Sequence, residues 1–255
     1  MNKSEIVKNW LPRYTGMALK EFGQYILLTN FGYYVKQFAA EFDVPIKGID
    51  HPMQSATYEN LTIINFGMGS PNAATIMDLL TAIDPKGVLF LGKCGGLRSS
   101  TDIGHLILPI GAIRGEGTSD DYLPKDVPAL PSFKLHKFAS EKIIEYNMEY
   151  RTGVIYSTNR RVWEHDEEFK QKLIDRRVIG VDMETATIFA VGHANGISRG
   201  ALLLVSDMPI YPEGIKTEAS DKIIKEKYTR LHLEIGIKTM MEIGEKGEPI
   251  KHFTY

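Results

Sequence analysis

Four short segments bring together residue types that can bind a polar ligand and move a proton. Asp182-Met183-Glu184 and Ser206-Asp207 each follow an apolar run, and carboxyls so placed can grip hydroxyls or act as a general acid. Gly67-Met68-Gly69 and Gly92-Lys93-Cys94-Gly95-Gly96 end two further runs, where glycines let a ligand approach the backbone closely. Each piece also has an ordinary structural reading. Glu184 can complement a helix dipole, Asp207 can close a turn, and the Gly67–Gly69 turn lacks the third glycine of a dinucleotide fingerprint. The stretch GVLFLGKCGG (87–96) differs from a phosphate-binding P-loop by Cys94 in place of Ser or Thr. Its middle residues, Val88-Leu89-Phe90-Leu91, favour a buried strand over a curled loop, and a thiol is a poor ligand for Mg²⁺.

The elements that must carry these segments alternate along the chain. Strands are expected at 24–29, 61–66, 88–91, 103–113, 153–157, 178–181 and 201–205, with Pro109 marking an edge or a bulge. Helices are expected at 33–42, from Ser70-Pro71 onward, at 133–146, 166–176 and 184–194, and in a tail from about 218. The Gly/Pro/Asp-rich segment 115–132 reads as a folded flap. This alternation predicts one α/β domain, a three-layer α/β/α sandwich around a central mixed sheet, with ligands beyond the carboxyl ends of the strands.

Thirty Lys plus Arg against 32 Asp plus Glu give no basic stripe for nucleic acid. One cysteine excludes an internal disulfide and suits a reducing, cytoplasmic setting. There is no apolar run of membrane length, and MNKSEIVKNW lacks a signal-peptide core. The seven histidines form no H-x-x-x-H or HExxH pair; His165 reads as exposed, His105 and His193 as structural. Neither a metal nor an organic cofactor is expected.

Together and in this order, NFGMGSPNA, the Gly-x-Cys-Gly strand end, Val-Asp-Met-Glu-Thr and Val-Ser-Asp resemble the nucleoside phosphorylase/nucleosidase superfamily over nearly the whole chain. The segments NWLPRYTG, FLGKCGGL, IRGEGTSDDYLPKDVPALPSFKLHKF, TNRRVWEHDEEF and LLLVSDMP are similar to the catalytic domain of its AMP-hydrolysing branch. The resemblance implies that Glu184 binds the ribose diol, Met183 packs on the nucleoside and Asp207 protonates purine N7. Cys94, Gly95 and Val181 would line the base pocket, with Gly69, Lys93 and Ser206 completing the candidate site. Lys216 is a candidate cation beside Asp207. Phosphorylases carry arginines for inorganic phosphate where this chain has Tyr34 and Phe90, and a serine where it has Lys93, which points to water as the nucleophile. Arg13, Tyr14 and Lys47, lent by a neighbouring copy, are candidates for a 5′-phosphate, with Arg160 and Arg161 as further ones near the base. A homohexamer and a single catalytic domain over 1–255, without the N-terminal regulatory domain of longer relatives, are also implied.

Overall fold

Apolar strands with no polar face have to be covered on both sides, and the computed structural model, which describes residues 1–246, shows how this is done. The strands are β1 (Tyr25–Thr29), β2 (Gln54–Tyr58), β3 (Leu61–Asn65), β4 (Gly87–Gly96), β5 (Leu106–Gly115), β6 (Tyr150–Thr158), β7 (Gly180–Asp182) and β8 (Arg199–Asp207). The helices are α1 (Lys3–Thr15), α2 (Gly32–Phe42), α3 (Ser70–Leu79), α4 (Phe133–Glu145), α5 (Glu167–Asp175), α6 (Thr185–Ala194), α7 (Glu218–Lys227) and α8 (Thr229–Lys246). Successive strand residues point to opposite faces. Ile26, Leu28, Val88 and Phe90 pack with α1, α3 and α6. Leu27, Leu89 and Leu91 pack with α2, α4 and α8 on the other face. The result is the expected three-layer arrangement. No helix among the described residues is long and apolar enough to cross a membrane.

The strand order is β2-β3-β1-β4-β7-β6-β5-β8, and β8 also pairs in parallel with β4. The last five strands therefore form a closed ring. β4 makes this possible because it is ten residues long. Its first half pairs with β1, Gly95 and Gly96 pair with β7, and β8 runs along the other edge from Val88 to Gly95. Register slips between Cys94 and Gly95, leaving Gly95 opposite Asp207. A bulge of this kind re-aims the side chains beyond it. A second irregularity in β5, between Pro109 and Gly111, realises the bulge expected at Pro109.

Two elements were not expected from the sequence. α1 is mostly polar and carries Pro12 inside it, yet Asn2 and Glu5 form a reciprocal capping box and Val7 and Leu11 reach the core. β2 (QSATY) lacks an apolar alternation and exists by antiparallel pairing with β3. The 115–132 segment is folded, as expected. Arg114 organises it by donating to the Ser119, Leu123, Pro124 and Val127 carbonyls, to Ser119 Oγ and to Asp120. Buried Glu116 accepts from the Gly117 and Ser119 N–H groups and from the Thr187 hydroxyl, pinning the segment to α6.

His136 and His232 are buried and held neutral. His136 Nε2 accepts from the Ala201 N–H at 3.1 Å. His232 Nε2 sits 2.9 Å from the Leu202 carbonyl, which can only accept, so Nδ1 is left to accept the Tyr34 hydroxyl at 2.7 Å. Burial pushes His136 down to about 3 and His232 to about 4. The unfolded chain protonates both near 6.5, so the stability they contribute is complete above that pH and lost as pH falls toward the folded values. Relative to His232→Gln, which cannot titrate, the wild type should lose about 2 kcal/mol between pH 6.5 and 5. Urea denaturation at the two pH values measures this; a constant difference between the proteins would refute a neutral His232.

Candidate active site

The candidate acids sit where strands stop, and Asp182 and Glu184 lie where a helix also begins, so the backbone there offers N–H groups that no strand or helix has claimed. Asp182 ends β7 and is fully committed. It accepts from the Ser157 hydroxyl at 2.5 Å and from the Thr185 N–H and hydroxyl at 2.8 and 2.5 Å. Two residues on, Glu184 occupies the N-cap position of α6. Its Oε1 accepts the Gly69 N–H at 2.7 Å and its Oε2 the Met183 N–H at 3.3 Å. Gly69 has φ +93°, a left-handed conformation that suits glycine, and this aims its N–H across the gap at Glu184. Ser70 donates to the Met183 carbonyl at 2.5 Å, so the β3–α3 turn and the β7–α6 turn are tied twice.

Burial and the nearby Asp182 carboxylate push Glu184 up to about 7. Burial also raises Asp207, against the Ser206 hydroxyl, which donates to Asp207 Oδ1 at 2.6 Å, and against the charges of Lys216 and Arg161. Glu184 and Asp207 face one cavity of ≈ 210 Å³. Its walls include Met68 and Met183, the Cys94-Gly95 strand end with Val181, and Ser206. Lys93 and Lys216, Arg160 and Arg161 also line it. Gly95 is a close-approach glycine, since a Cβ there would lie 2.7 Å from the Pro209 ring.

The structure brings most of the expected site together: Asp207, Glu184, Lys93, Cys94, Gly95, Arg160, Arg161, Val181, Met183 and Ser206 all line the cavity. Gly69 stands behind it, holding Glu184. Cys94 contributes its backbone rather than a nucleophile, because burial pushes its thiol well up. Lys93 is buried, with its ammonium 4.8 Å from the Phe31 ring centre and 3.2 Å from Asp221. The same Asp221 oxygen lies 3.0 Å from Lys216. Arg160 pairs with Asp166 at 2.8 Å and Arg161 with Glu164 at 3.4 Å.

Other expectations fall elsewhere. Tyr34 and Phe90 are wholly buried, Tyr34 against His232 and Phe90 against Phe66, so neither presents a group to the cavity. Arg13, Tyr14 and Lys47 are not among the residues lining this chain's cavity. Arg13 is exposed, Tyr14 stacks on Trp10, and Lys47 reaches toward Glu21 at 3.9 Å. Sequence reasoning did not single out Asn30, Phe31, Thr158 or Glu164 as cavity residues. Glu164 lies in a run of acids (WEHDEE) whose members look alike until Trp163 is seen to be buried. Among the described residues no group of three His, Cys, Asp or Glu side chains is arranged to hold a metal ion.

This layout of sheet and strand-end acids matches a known family. The phosphorylase superfamily model aligns with residues 24–231. The chain belongs to the phosphorylase superfamily. AMP nucleosidase of Escherichia coli K12 is 28% identical over 284 residues, covering 93% of this chain. The chain spans 58% of that relative's length. A guanosine phosphorylase of Halorubrum lacusprofundi is 28% identical over 180 residues, covering 70% of this chain and 74% of its own. Among solved structures, an AMP nucleosidase from Bacteroides thetaiotaomicron is 51% identical, with a TM-score of 0.85 over 96% of this chain and 99% of its own. A uridine phosphorylase from Vibrio fischeri, at 21% identity and TM-score 0.76 over 88% and 93%, shares the fold.

The raised Glu184 is testable independently of any activity. Asp182→Asn removes the neighbouring charge while its amide oxygen still accepts from Thr185 and its NH2 donates to the Ser157 hydroxyl oxygen. Glu184 should then titrate lower by about one unit, read by carbon-13 carboxyl shifts. An unmoved titration would mean that burial alone sets its value.

Proposed function

We propose that this chain is the catalytic unit of an AMP nucleosidase that hydrolyses the N-glycosidic bond of AMP to adenine and ribose 5-phosphate. The observation that carries this reading is the pair of carboxyls, Glu184 and Asp207, whose proton affinity burial raises and which face one cavity from different strand ends. The likeness to two proteins named AMP nucleosidase supports it. Cleavage passes through an oxocarbenium-like state, so catalysis needs a better leaving group and support for a cationic sugar. Asp207, whose proton affinity its burial raises, donates to N7 as the C1′–N9 bond breaks and its electrons pass to the base. Glu184 accepts from the ribose hydroxyls, orienting the sugar and lending negative charge to the forming cation. Water adds to C1′, and the proton it releases restores Asp207. Lys216 tunes Asp207 by opposing its burial.

Water as the nucleophile is supported by the side chains near the sugar end. Lys93 is engaged by Asp221 and covered by Phe31, and Tyr34 and Phe90 turn into the core, leaving no guanidinium pair there to hold inorganic phosphate in a bidentate grip. For the 5′-phosphate, exposed Arg13 and Lys47 with Tyr14 act in the site of a neighbouring copy, in a homohexamer with shared sites. Their position outside this chain's own cavity fits that role.

Incubation with AMP in phosphate-free buffer should release adenine and ribose 5-phosphate; a requirement for phosphate would make the chain a phosphorylase. Asp207→Asn should lower kcat by about 10²- to 10⁴-fold with AMP binding retained, and undiminished turnover would remove Asp207 from the mechanism. Arg13→Ala should raise KM for AMP about tenfold while leaving adenosine unaffected. Equal effects on both substrates would argue against a phosphate contact.

A further inference from the structure

The cavity holds a carboxyl that the hydrolytic mechanism does not use. Glu164 lines it together with Asp207, and its side chain is 18% exposed. Oε2 accepts the Trp163 backbone N–H at 2.9 Å, and Oε1 lies 3.4 Å from Arg161 Nη1. Trp163 is buried and packs edge-on against Phe169 with ring centres 5.3 Å apart, so the backbone beneath Glu164 is anchored. Both members of the Arg161–Glu164 pair act on Asp207, the guanidinium lowering its proton affinity and the carboxylate raising it. Asp207, Arg161 and Glu164 thus belong to one end of the cavity.

That end offers two carboxyls in different settings: Asp207, raised by burial and suited to donate, and Glu164, held by a guanidinium and a backbone N–H and suited to accept. Adenine presents a matching pair on one edge, the N7 acceptor beside the N6 amino donor. A 6-oxopurine presents two acceptors on that edge, and its O6 would meet the Glu164 carboxylate. We propose that Glu164 selects 6-aminopurines over 6-oxopurines by accepting a hydrogen bond from the exocyclic amine while Asp207 donates to N7. The proposal rests on reading the cavity as a purine nucleotide site. A site built to bond a substrate N–H rejects a 6-oxo analogue strongly, because the hydrogen bond is lost and O6 is set against the carboxylate, acceptor against acceptor. Arg161 fixes the carboxylate and offsets its charge, so the residue can serve as a reader without abolishing anion binding.

The test compares wild type, Glu164→Gln and Glu164→Ala in kcat/KM for AMP and IMP, and in calorimetric binding of free adenine and hypoxanthine. Wild type should favour AMP by about a hundredfold or more. Gln, whose amide can donate to O6 and still accept from Trp163, should narrow that ratio at least tenfold, losing on AMP and gaining on IMP. Ala should lose on AMP and gain on IMP less than Gln does, because it removes the repulsion without supplying a donor. If Glu164 acts only through its charge on Asp207, both variants will slow AMP and IMP in equal proportion, and the unchanged ratio overturns the proposal. A wild type that binds adenine and hypoxanthine equally overturns it as well. If no nucleotide is hydrolysed but adenine is preferred and Glu164→Gln abolishes the preference, the base selection stands and the nucleosidase reading fails.

Discussion

Burying carboxyls is costly, because water solvates an ionised acid far better than a protein interior does. This chain buries Asp182 and Glu184 almost completely within three residues of each other, and sets Asp207 beside the same cavity. Much of the architecture around the cavity can be understood as the means of supporting them. Asp182 is met by three donors and Glu184 by two backbone N–H groups, one delivered by a left-handed glycine from a different strand end. Asp207 receives a single hydroxyl. Burial raises all three, and these donors oppose it in different measure: Asp182 is held firmly in its turn, while Asp207 has one hydroxyl against its burial.

Positioning those donors requires strand ends to converge. β4 exchanges β1, paired as far as Leu91, for β7 at Gly95 while β8 stays beside it across the slip at Cys94, so the ends of β4, β7 and β8 meet around the cavity. The glycines of that segment serve the same end, because Gly95 has Pro209 and Val181 where a side chain would go. At a distance, Arg114 organises segment 115–132 and Glu116 ties it to α6, the helix that Glu184 caps.

Much of this was legible in the sequence. The strands were recognisable because, buried on both faces, they are nearly unbroken apolar runs, and the two acidic strand ends announced themselves by following such runs. α1 and β2 escaped notice because their existence depends on capping and on a partner strand rather than on apolar periodicity. Tyr34 and Phe90 were aligned to a pocket by chain position, but side-chain direction within a strand or helix turned them into the core. Asn30, Phe31 and Glu164 enter the cavity through loops, where spacing carries no information about direction. Arg13, Tyr14 and Lys47 illustrate a different limit, since the geometry that would give them a role lies between copies of the chain.

The closed ring of strands has a bearing on how copies can meet. Pairing β8 back onto β4 removes one margin of the sheet, where unpaired backbone groups would invite another chain to add a strand. The margin that remains is β2, a short strand of mostly polar residues partly covered by the Lys47–Ser55 bridge. Backbone templating, the route by which open sheets grow into fibres, therefore has little to work with here. Any contact between copies would have to rest on side chains, which are specific to one orientation.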